Sequence, residues 1–583
     1  MAGSVTERHQ KLVAEARKRY DALAIQDIHN RTDALEDMRF VYNIDEGQWP
    51  TAVRAERLRD GRPCLTSNKL RKFVGIVANQ AIVERSAIGV TPVDDASDPI
   101  IAQVYENLIR MIEYQSDASA IYQQTLGHSV AGGFGFWRLL TRYVDDGFDQ
   151  EIYLAGVDDP FSAYLDPDKN FGFLVTALPK TTFQTRYPGK METSFDTRGT
   201  LQEGYIHIAE HFWKEPTTKE LLQVRDPQGQ IQVIELKDGY TPEILTTQGY
   251  EILRARKVAS HKVKWVTLSG AEILDEQDWA GKEIPLVEVC GDKIHIEGRI
   301  YKRSLIRDAK DPQRMYNYWL TAQTETIALS PKAPFLVTPE EVRGHEAMWN
   351  SANVSSRPYL FFNRSGDRVP RREPPPEVQA GAMNMMTIAD QDIKDVIGIF
   401  ETGLGEKSNE RSGRAIKLRM SQQDLGIGHF HEQFKHALIN TGKQLIDLIP
   451  KIYDTARVIR VQGEGGDVLS IPINQTVIDP ETGEEILIND LSVGRYDVNA
   501  SIRVYQTRRE EASEMMIQAL QYAPSVAPYL LDLVFKYANW PGAEEVEKRI
   551  QAILQQGLGQ PPQTATAGNP AQPSAPGPPT GEA

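Results

Sequence analysis

Two segments near the middle of the chain carry their apolar residues along lines too narrow to face a broad core. In DPQRMYNYWLTAQTETIALSP, residues 311–331, Met315, Tyr318/Trp319, Ala322 and Leu329 fall on one side of a helix. That helix is roughly 28 Å long at ~1.5 Å per residue. Asp311 is its candidate cap, Pro312 suits the first helical position, and Pro331 ends it. A second helix is expected from Glu377, with Val378, Ala382, Met385/Met386, Ala389, Ile393 and Val396/Ile397 on one stripe. Such stripes favour side-by-side packing with similar helices over burial in a large core. Between the two lies a small insert, residues 331–376. It carries strand-like PFLV and RPYLFF and a short helix opened by a Thr338–Glu341 capping box.

The flanks read as α+β. Helices are expected over the first ~130 residues, with Leu12, Ala16, Tyr20 and Leu23 on one face and Leu70, Phe73, Val74 and Val77 on another. At AGGFGFWRLLTRY the glycines end a helix and alternation begins. Short antiparallel strands follow to about residue 296: FGFWRLLTRYV, QEIYLAGV, GYIHIAEHFWK, HKVKWVTL and EIPLVEVC. After residue 412 come FHEQFKHALINTGKQLIDLIPKIYDTA as helix, strands from ARVIRVQ to YDVNASIRV, and two closing helices. The last residues, 557–583, are too poor in apolar side chains to offset chain entropy and are expected to be disordered.

Charge and composition exclude several classes. The 583 residues carry a formal charge of −15, which argues against gripping nucleic acid over a large surface but not against letting it pass. No apolar run approaches the ~20 residues that span a bilayer, and no membrane partner is expected. Cys64 and Cys290, far apart in sequence, fit a reducing compartment.

The motifs that suggest chemistry fail on inspection. GLGEKS, residues 403–408, has Glu406 where a phosphate loop needs glycine, and it follows helical spacing instead of a strand. His431 and His436 are five apart, not the four of a helical zinc pair. His295-Ile296-Glu297 lacks the second thiolate of a zinc deaminase, because Pro63-Cys64 is followed by Leu65, Thr66 and Ser67. Asp166, Asp168 and Asn170 open like a calcium loop, but Phe171 and Ala177 stand where glycine and glutamate belong. Arg357, Arg364, Arg368, Arg371 and Arg372 cluster in the insert, either as a solvated rim or as a docking surface. No catalytic constellation and no cofactor or metal site emerges. A nucleotide-hydrolysing enzyme and a different ring-forming protein stay open as alternatives; ATP turnover would mark the first, and the chain's length disfavours the second.

The order of parts resembles the portal proteins of tailed bacteriophages, in particular the larger type of short-tailed phages. The resemblance rests on RFVYNIDEGQWP, RPCLTSNKLRKFVGIVANQ, GFGFWRLLTRYVDDGFDQEIYL, VDDPFSAYLDPD, YDVNASIRVYQTRREEASEMM and NWPGAEEVEKRI, and runs over most of residues 35–555. It implies a non-enzymatic ring of twelve copies at one capsid vertex of the virion, assembled in the host cytoplasm. Residues 1–300 would form a wing, 301–330 and 377–399 two stem helices, and 331–376 a clip. Residues 400–412 would be a loop in the DNA channel, and 413–556 wing and crown. The partners implied are terminase, then a tail or neck adaptor, with major capsid and scaffolding proteins and, transiently, double-stranded viral DNA. Gly403 and Gly405 would make the channel loop mobile. Glu401, Glu406, Glu410, Lys407 and Arg411 would meet DNA, with Lys407 and Arg411 on its phosphates. The clip arginines would dock terminase or adaptor. Met315, Trp319, Ala322, Leu329, Val378, Met385, Ile393 and Ile397 would pack the stem. Some relatives end in a long helical barrel, and the Pro-rich end seen here makes none expected.

Overall fold

The apolar spacing of the first helix translates directly into burial. A computed structural model describes residues 2–83, 87–93, 98–144, 147–196, 203–225, 229, 231–236, 242–329, 335–352, 358–364, 366, 369–373, 380–399, 413–462, 468–478, 485–491, 494–501 and 516. Met1–Ile502 forms one unit and Arg503–Ala583 a second, of which only Met516 is described. In α1 (Ala2–Gln26), Val13, Ala16, Tyr20 and Leu23 are buried against Phe173, Val266 and Leu268, with Leu12 at the margin. Then follow α2 (Ile28–Val41), α3 (Thr51–Arg59) and α4 (Leu70–Val83), where Leu70, Phe73, Val74 and Val77 enter the main core. Strand β1 (Ala87–Pro92) leads to α5 (Pro99–Gln115), capped by Asp98, which accepts from the Ile100 amide at 2.8 Å.

Helix α6 (Ala118–Gly132) ends at Gly133, whose φ of +92° is the left-handed cap expected from the sequence. A side chain there would also collide, since a Cβ would lie 2.5 Å from the Lys302 carbonyl oxygen. The reversal delivers β2 (Phe134–Tyr143), which pairs with β3 (Gln150–Gly156) on one side. The strand β10 (Leu286–Cys290) takes its other side, once β4 (Ala163–Leu165), β5 (Phe171–Pro179), α7 (Lys180–Arg186), β6 (Tyr205–Arg225), β7 (Ile231–Glu235), α8 (Pro242–Thr247), β8 (Glu251–Leu268) and β9 (Ile273–Trp279) have passed. Being covered on both faces, β2 buries Phe134, Phe136, Trp137 and Leu139. Asp166, Asp168 and Asn170 form the polar turn between β4 and β5, where Asp166 accepts from the Asn170 amide at 3.2 Å.

The second sheet departs from the expected short strands. GYIHIAEHFWK and HKVKWVTL are only the inner halves of β6 and β8, which run on together for 21 and 18 residues. Pro216 within β6 is tolerated for a positional reason. The pairing with β5 stops at Trp213 and that with β7 starts at Leu221, so its missing N–H costs no ladder bond on that edge. The outer end has its own small core of Leu222, Val224 and Leu245.

Strands β11 (Asp292–Ile296) and β12 (Arg299–Arg303) make a hairpin whose turn residues, Glu297 and Gly298, both have positive φ. It is pinned to α2 by Asn30, which donates to the Ile300 carbonyl at 2.9 Å and accepts from the Lys302 amide at 3.1 Å. Burial works against the Lys302 ammonium, but Glu288 and Asp27 outweigh it and hold the group charged.

The chain continues through α9 (Lys310–Leu329), β13 (Phe335–Leu336), α10 (Pro339–Val342), α11 (Glu346–Asn350), β14 (Arg371–Arg372) and α12 (Ala380–Ile397). Helix α13 (Gly413–Ile452) is longer than expected, because its backbone is already helical well before FHEQF. Its Ile427, Phe430, Phe434, Leu438, Leu445 and Leu448 lie in the main core, and Thr441 accepts from Trp137 Nε1 at 2.9 Å. Strands β15 (Arg457–Gln462), β16 (Val468–Ile473), β17 (Gln475–Ile478) and β18 (Glu485–Ile488) form two hairpins. Finally β19 (Tyr496–Ser501) returns to pair antiparallel with β1. Every strand pairing among the described residues is antiparallel, the α+β arrangement anticipated from the sequence. No helix among these residues is long and apolar enough to cross a membrane.

One buried acid gives the fold a pH dependence. Tyr122, 8% exposed, donates to Glu113 Oε1 at 2.9 Å, and burial pushes that carboxyl up to about 7. Because the folded value is raised, its contribution is fully present below about 4.5 and is lost as pH climbs through about 7. Glu113→Gln is therefore expected to match the parent near pH 4.5 and to exceed it by about 1–3 kcal/mol at pH 8. Paired denaturant titrations at the two pH values check this. A difference that does not change with pH would contradict it.

Candidate functional site

Helix α9 begins earlier than its sequence signals suggest. A single 3₁₀ turn, Arg307–Ala309, runs straight into Lys310, so Asp311 is not the cap. It sits in the first turn and pairs instead with Arg314 at 2.9 Å. The base of the helix is anchored by opposite charges. Asp37 of α2 accepts from Ser304 Oγ at 2.7 Å and from Arg307 and Lys310 at 3.0 Å each. Glu36 takes Lys310 at 2.6 Å and is held below the usual carboxylate range mainly by that bond. Asp33 also pairs with Arg307.

The fully buried side chains of α9, among those described, are polar: Lys310, Gln313, Asn317, Thr321 and Glu325. From Gln313 onward they recur every fourth residue, which puts them on one row of the helix. They face an extended segment, residues 62–69. Gln313 Oε1 accepts from the Lys69 amide (3.1 Å), Asn317 Oδ1 from Ser67 (3.0 Å) and Thr321 Oγ1 from Leu65 (3.2 Å). Gln313 Nε2 donates back to the Ser67 carbonyl at 2.8 Å, and Asn317 Nδ2 to Gln48 Oε1 at 2.8 Å. Glu325 closes the row by binding both Arg57 and Arg62. The segment's last residue, Lys69, reaches Asp390 of α12. Burial would raise the Asp390 carboxyl, yet Lys69 and Lys394 bring it below its ordinary value.

With the polar row turned inward, the apolar stripe of α9 faces out. Met315 is 39% and Tyr318 49% exposed, Ile327 is exposed, and Trp319 and Ala322 are half-buried. The Leu329 side chain lies outside the described residues. Helix α12 packs against α9 and divides its own stripe. Ala389, Ile393 and Ile397 sink into this chain's own core, so Ile393 and Ile397 are already covered without any neighbour. Met385 and Met386 are half-buried, while Met383, Ile388 and Val396 stay exposed. Val378 lies outside the described residues.

In the insert the Thr338–Glu341 capping box is formed, and the Thr338 amide donates to Glu341 Oε2 at 2.8 Å. The described part of RPYLFF, residues 358–362, is not a strand. The partner of β13 is β14, with Phe335 opposite Arg372 and Leu336 opposite Arg371. Residues 359–364 instead run irregularly, held where Trp349 Nε1 donates to the Phe361 carbonyl (2.8 Å) and the Asn363 amide to Glu341 (2.9 Å). Tyr359 and Phe361 are left exposed. Arg371 and Arg372 are brought together, with Arg372 5.0 Å over the Phe335 ring, and Arg364 is exposed. Arg357 and Arg368 lie outside the described residues, as do Glu401, Gly403, Gly405, Lys407 and Arg411 of the expected channel loop.

His429 and His436 are exposed on α13, and no group of three or more His, Cys, Asp or Glu among the described residues is placed to hold a metal. Cys64 and Cys290 are both free thiols, and burial pushes the Cys290 thiol up to about 12.

The body of helices and antiparallel sheets thus carries two adjoining helices, α9 and α12, with a small insert between them. The sequence matches the family described as phage P22-like portal protein over residues 17–579, and the chain belongs to that family. It is also similar to the portal protein of Acyrthosiphon pisum secondary endosymbiont phage 1, with 21% identity over 565 aligned residues that cover 89% of this chain and 76% of that protein. A structural role as a phage portal, the head-to-tail connector, follows from the family.

Proposed function

We propose that copies of this chain close head to tail into a ring, twelve by resemblance to the family, around a channel for DNA entering and leaving one capsid vertex. The observation that carries this reading is the inversion of α9. Its polar row is buried within the chain while Met315 and Tyr318 stay open, so an apolar wall has to come from outside. A heterologous contact whose rotation closes supplies that wall and yields a ring. In this reading α9 and α12 are the stem, and Met315, Trp319, Ala322, Met385 and the outer face of α12 meet the next copy. Ile393 and Ile397 fix α12 to its own body.

Residues 331–376 are then the clip. Its Arg364, Arg371 and Arg372, beside exposed Tyr359 and Phe361, offer a cationic and aromatic surface to terminase and afterwards to the adaptor. Capsid and scaffolding proteins meet the wing. The chain's net charge of −15 keeps the DNA backbone from sticking, and the loop at 400–412 supplies the few cations that touch it. A phage whose own portal gene is disabled tests this when the chain is supplied in trans. The unaltered chain is expected to restore packaging. Lys407→Ala with Arg411→Ala is expected to assemble normally but to lower the DNA-filled fraction of particles several-fold. Normal filling by that variant would remove the loop's contact role.

A further inference from the structure

We propose that residues 62–69 and the polar row of α9 form a releasable seam, which lets the outer half of the helix part from the N-terminal helices while its base stays pinned. The seam is built as a ladder. One helical step of four residues rises ~6.0 Å, and two residues of extended chain advance ~6.6 Å. The two repeats therefore nearly match, and Gln313, Asn317 and Thr321 meet the amides of Lys69, Ser67 and Leu65 in turn.

What the seam lacks is as telling as what it contains. None of residues 62–69 is fully buried, and the buried side chains of α9 are polar among those described, with Tyr316 only partly buried against the core and 4.2 Å under the Lys69 ammonium. Parting it exposes groups that water can satisfy, so the net cost per hydrogen bond is small. Hydrophobic contacts of the same area would hold far more firmly. The two sides are also separately secured. The segment stays with the body through Trp49 Nε1 on the Leu65 carbonyl (3.2 Å) and Asn68 Nδ2 on the Val41 carbonyl (2.6 Å). The base of α9 stays through Asp37 with Arg307 and Lys310, and through buried Ile306 and Ala309. Glu325, gripping Arg57 and Arg62, is the latch at the far end. Opening there frees the end of α9 that leads into the insert, so a load on the insert could be taken up as a shift of the helix without unfolding the core.

Hydrogen exchange on the full chain, in its purified assembly state, reads the seam directly. The Leu65, Ser67 and Lys69 amides are expected to exchange far faster than core amides of α4, yet at least tenfold slower than an unprotected chain. Thr321→Val and, separately, Glu325→Gln are expected to speed them on the order of tenfold, since each removes bonds made across the seam. Protection across Phe73–Val77 should stay unchanged, which shows that the variants are folded. The proposal is overturned if the three amides in the parent exchange only with the core, if they are unprotected, or if both folded variants leave their rates unchanged. None of these readings depends on ring formation.

Discussion

Placing a carboxylate at both Met315 and Tyr318 should abolish assembly while leaving the subunit folded. Both side chains are more than a third exposed in the single chain, so Met315→Glu with Tyr318→Glu should change its own stability by under about 1 kcal/mol. Against a neighbouring copy the outcome reverses. The substitutions remove a tyrosine, a residue type that often dominates interface energy at about 2 kcal/mol or more. They also bury two unpaired charges at every contact of the ring. Light scattering should report single chains at concentrations where the parent is expected to be a high oligomer, with an unaltered unfolding midpoint for the subunit. Normal oligomers from the doubly charged variant would move the interface away from this stripe.

The second large effect lies at the base of the same helix. Asp37, 2% exposed, holds Ser304, Arg307 and Lys310 together, and Lys310 is buried beside it. Asp37→Ala leaves that ammonium with the more exposed Glu36 as its remaining ion-pair partner among the described residues, an expected loss of about 3–5 kcal/mol. Lys310→Met in the same background should recover part of it, because the uncompensated charge is the main cost. A denaturant double-mutant cycle measures both numbers. A loss below about 1 kcal/mol, or no coupling between the two positions, would show that the cluster is ornamental.

Much of the scaffold was readable from the chain alone, and the failures share a cause. The faces of α1 and α4, the Gly133 reversal and the Thr338–Glu341 box each rest on a local rule that tertiary packing did not override. The row Gln313, Asn317, Thr321, Glu325 was invisible because periodicity assigns polar positions to solvent, and nothing in their spacing names the segment that satisfies them. The regular four-residue recurrence of hydrogen-bonding side chains was the one available signal. For the same reason Ile393 and Ile397 looked like stem contacts: apolar spacing marks a buried face without saying which surface buries it. Only the inner halves of the long β6 and β8 were expected, because nothing local shows that Pro216 sits where β6 has no partner on one edge. RPYLFF has strand-like composition, but its aromatic residues are left exposed, the Phe361 carbonyl accepts from Trp349 Nε1, and the next residue, Asn363, donates its amide to Glu341.

The connector role stands on whether the open apolar edge of α9 is answered by an identical neighbour. Electron microscopy of the purified, unmodified protein addresses that without labels or partners. The expected images are annular particles with a central hole and a single rotational symmetry, near twelvefold, in which α9 and α12 of adjacent copies line the wall. Fields of isolated single chains at every concentration and salt tested would contradict the account.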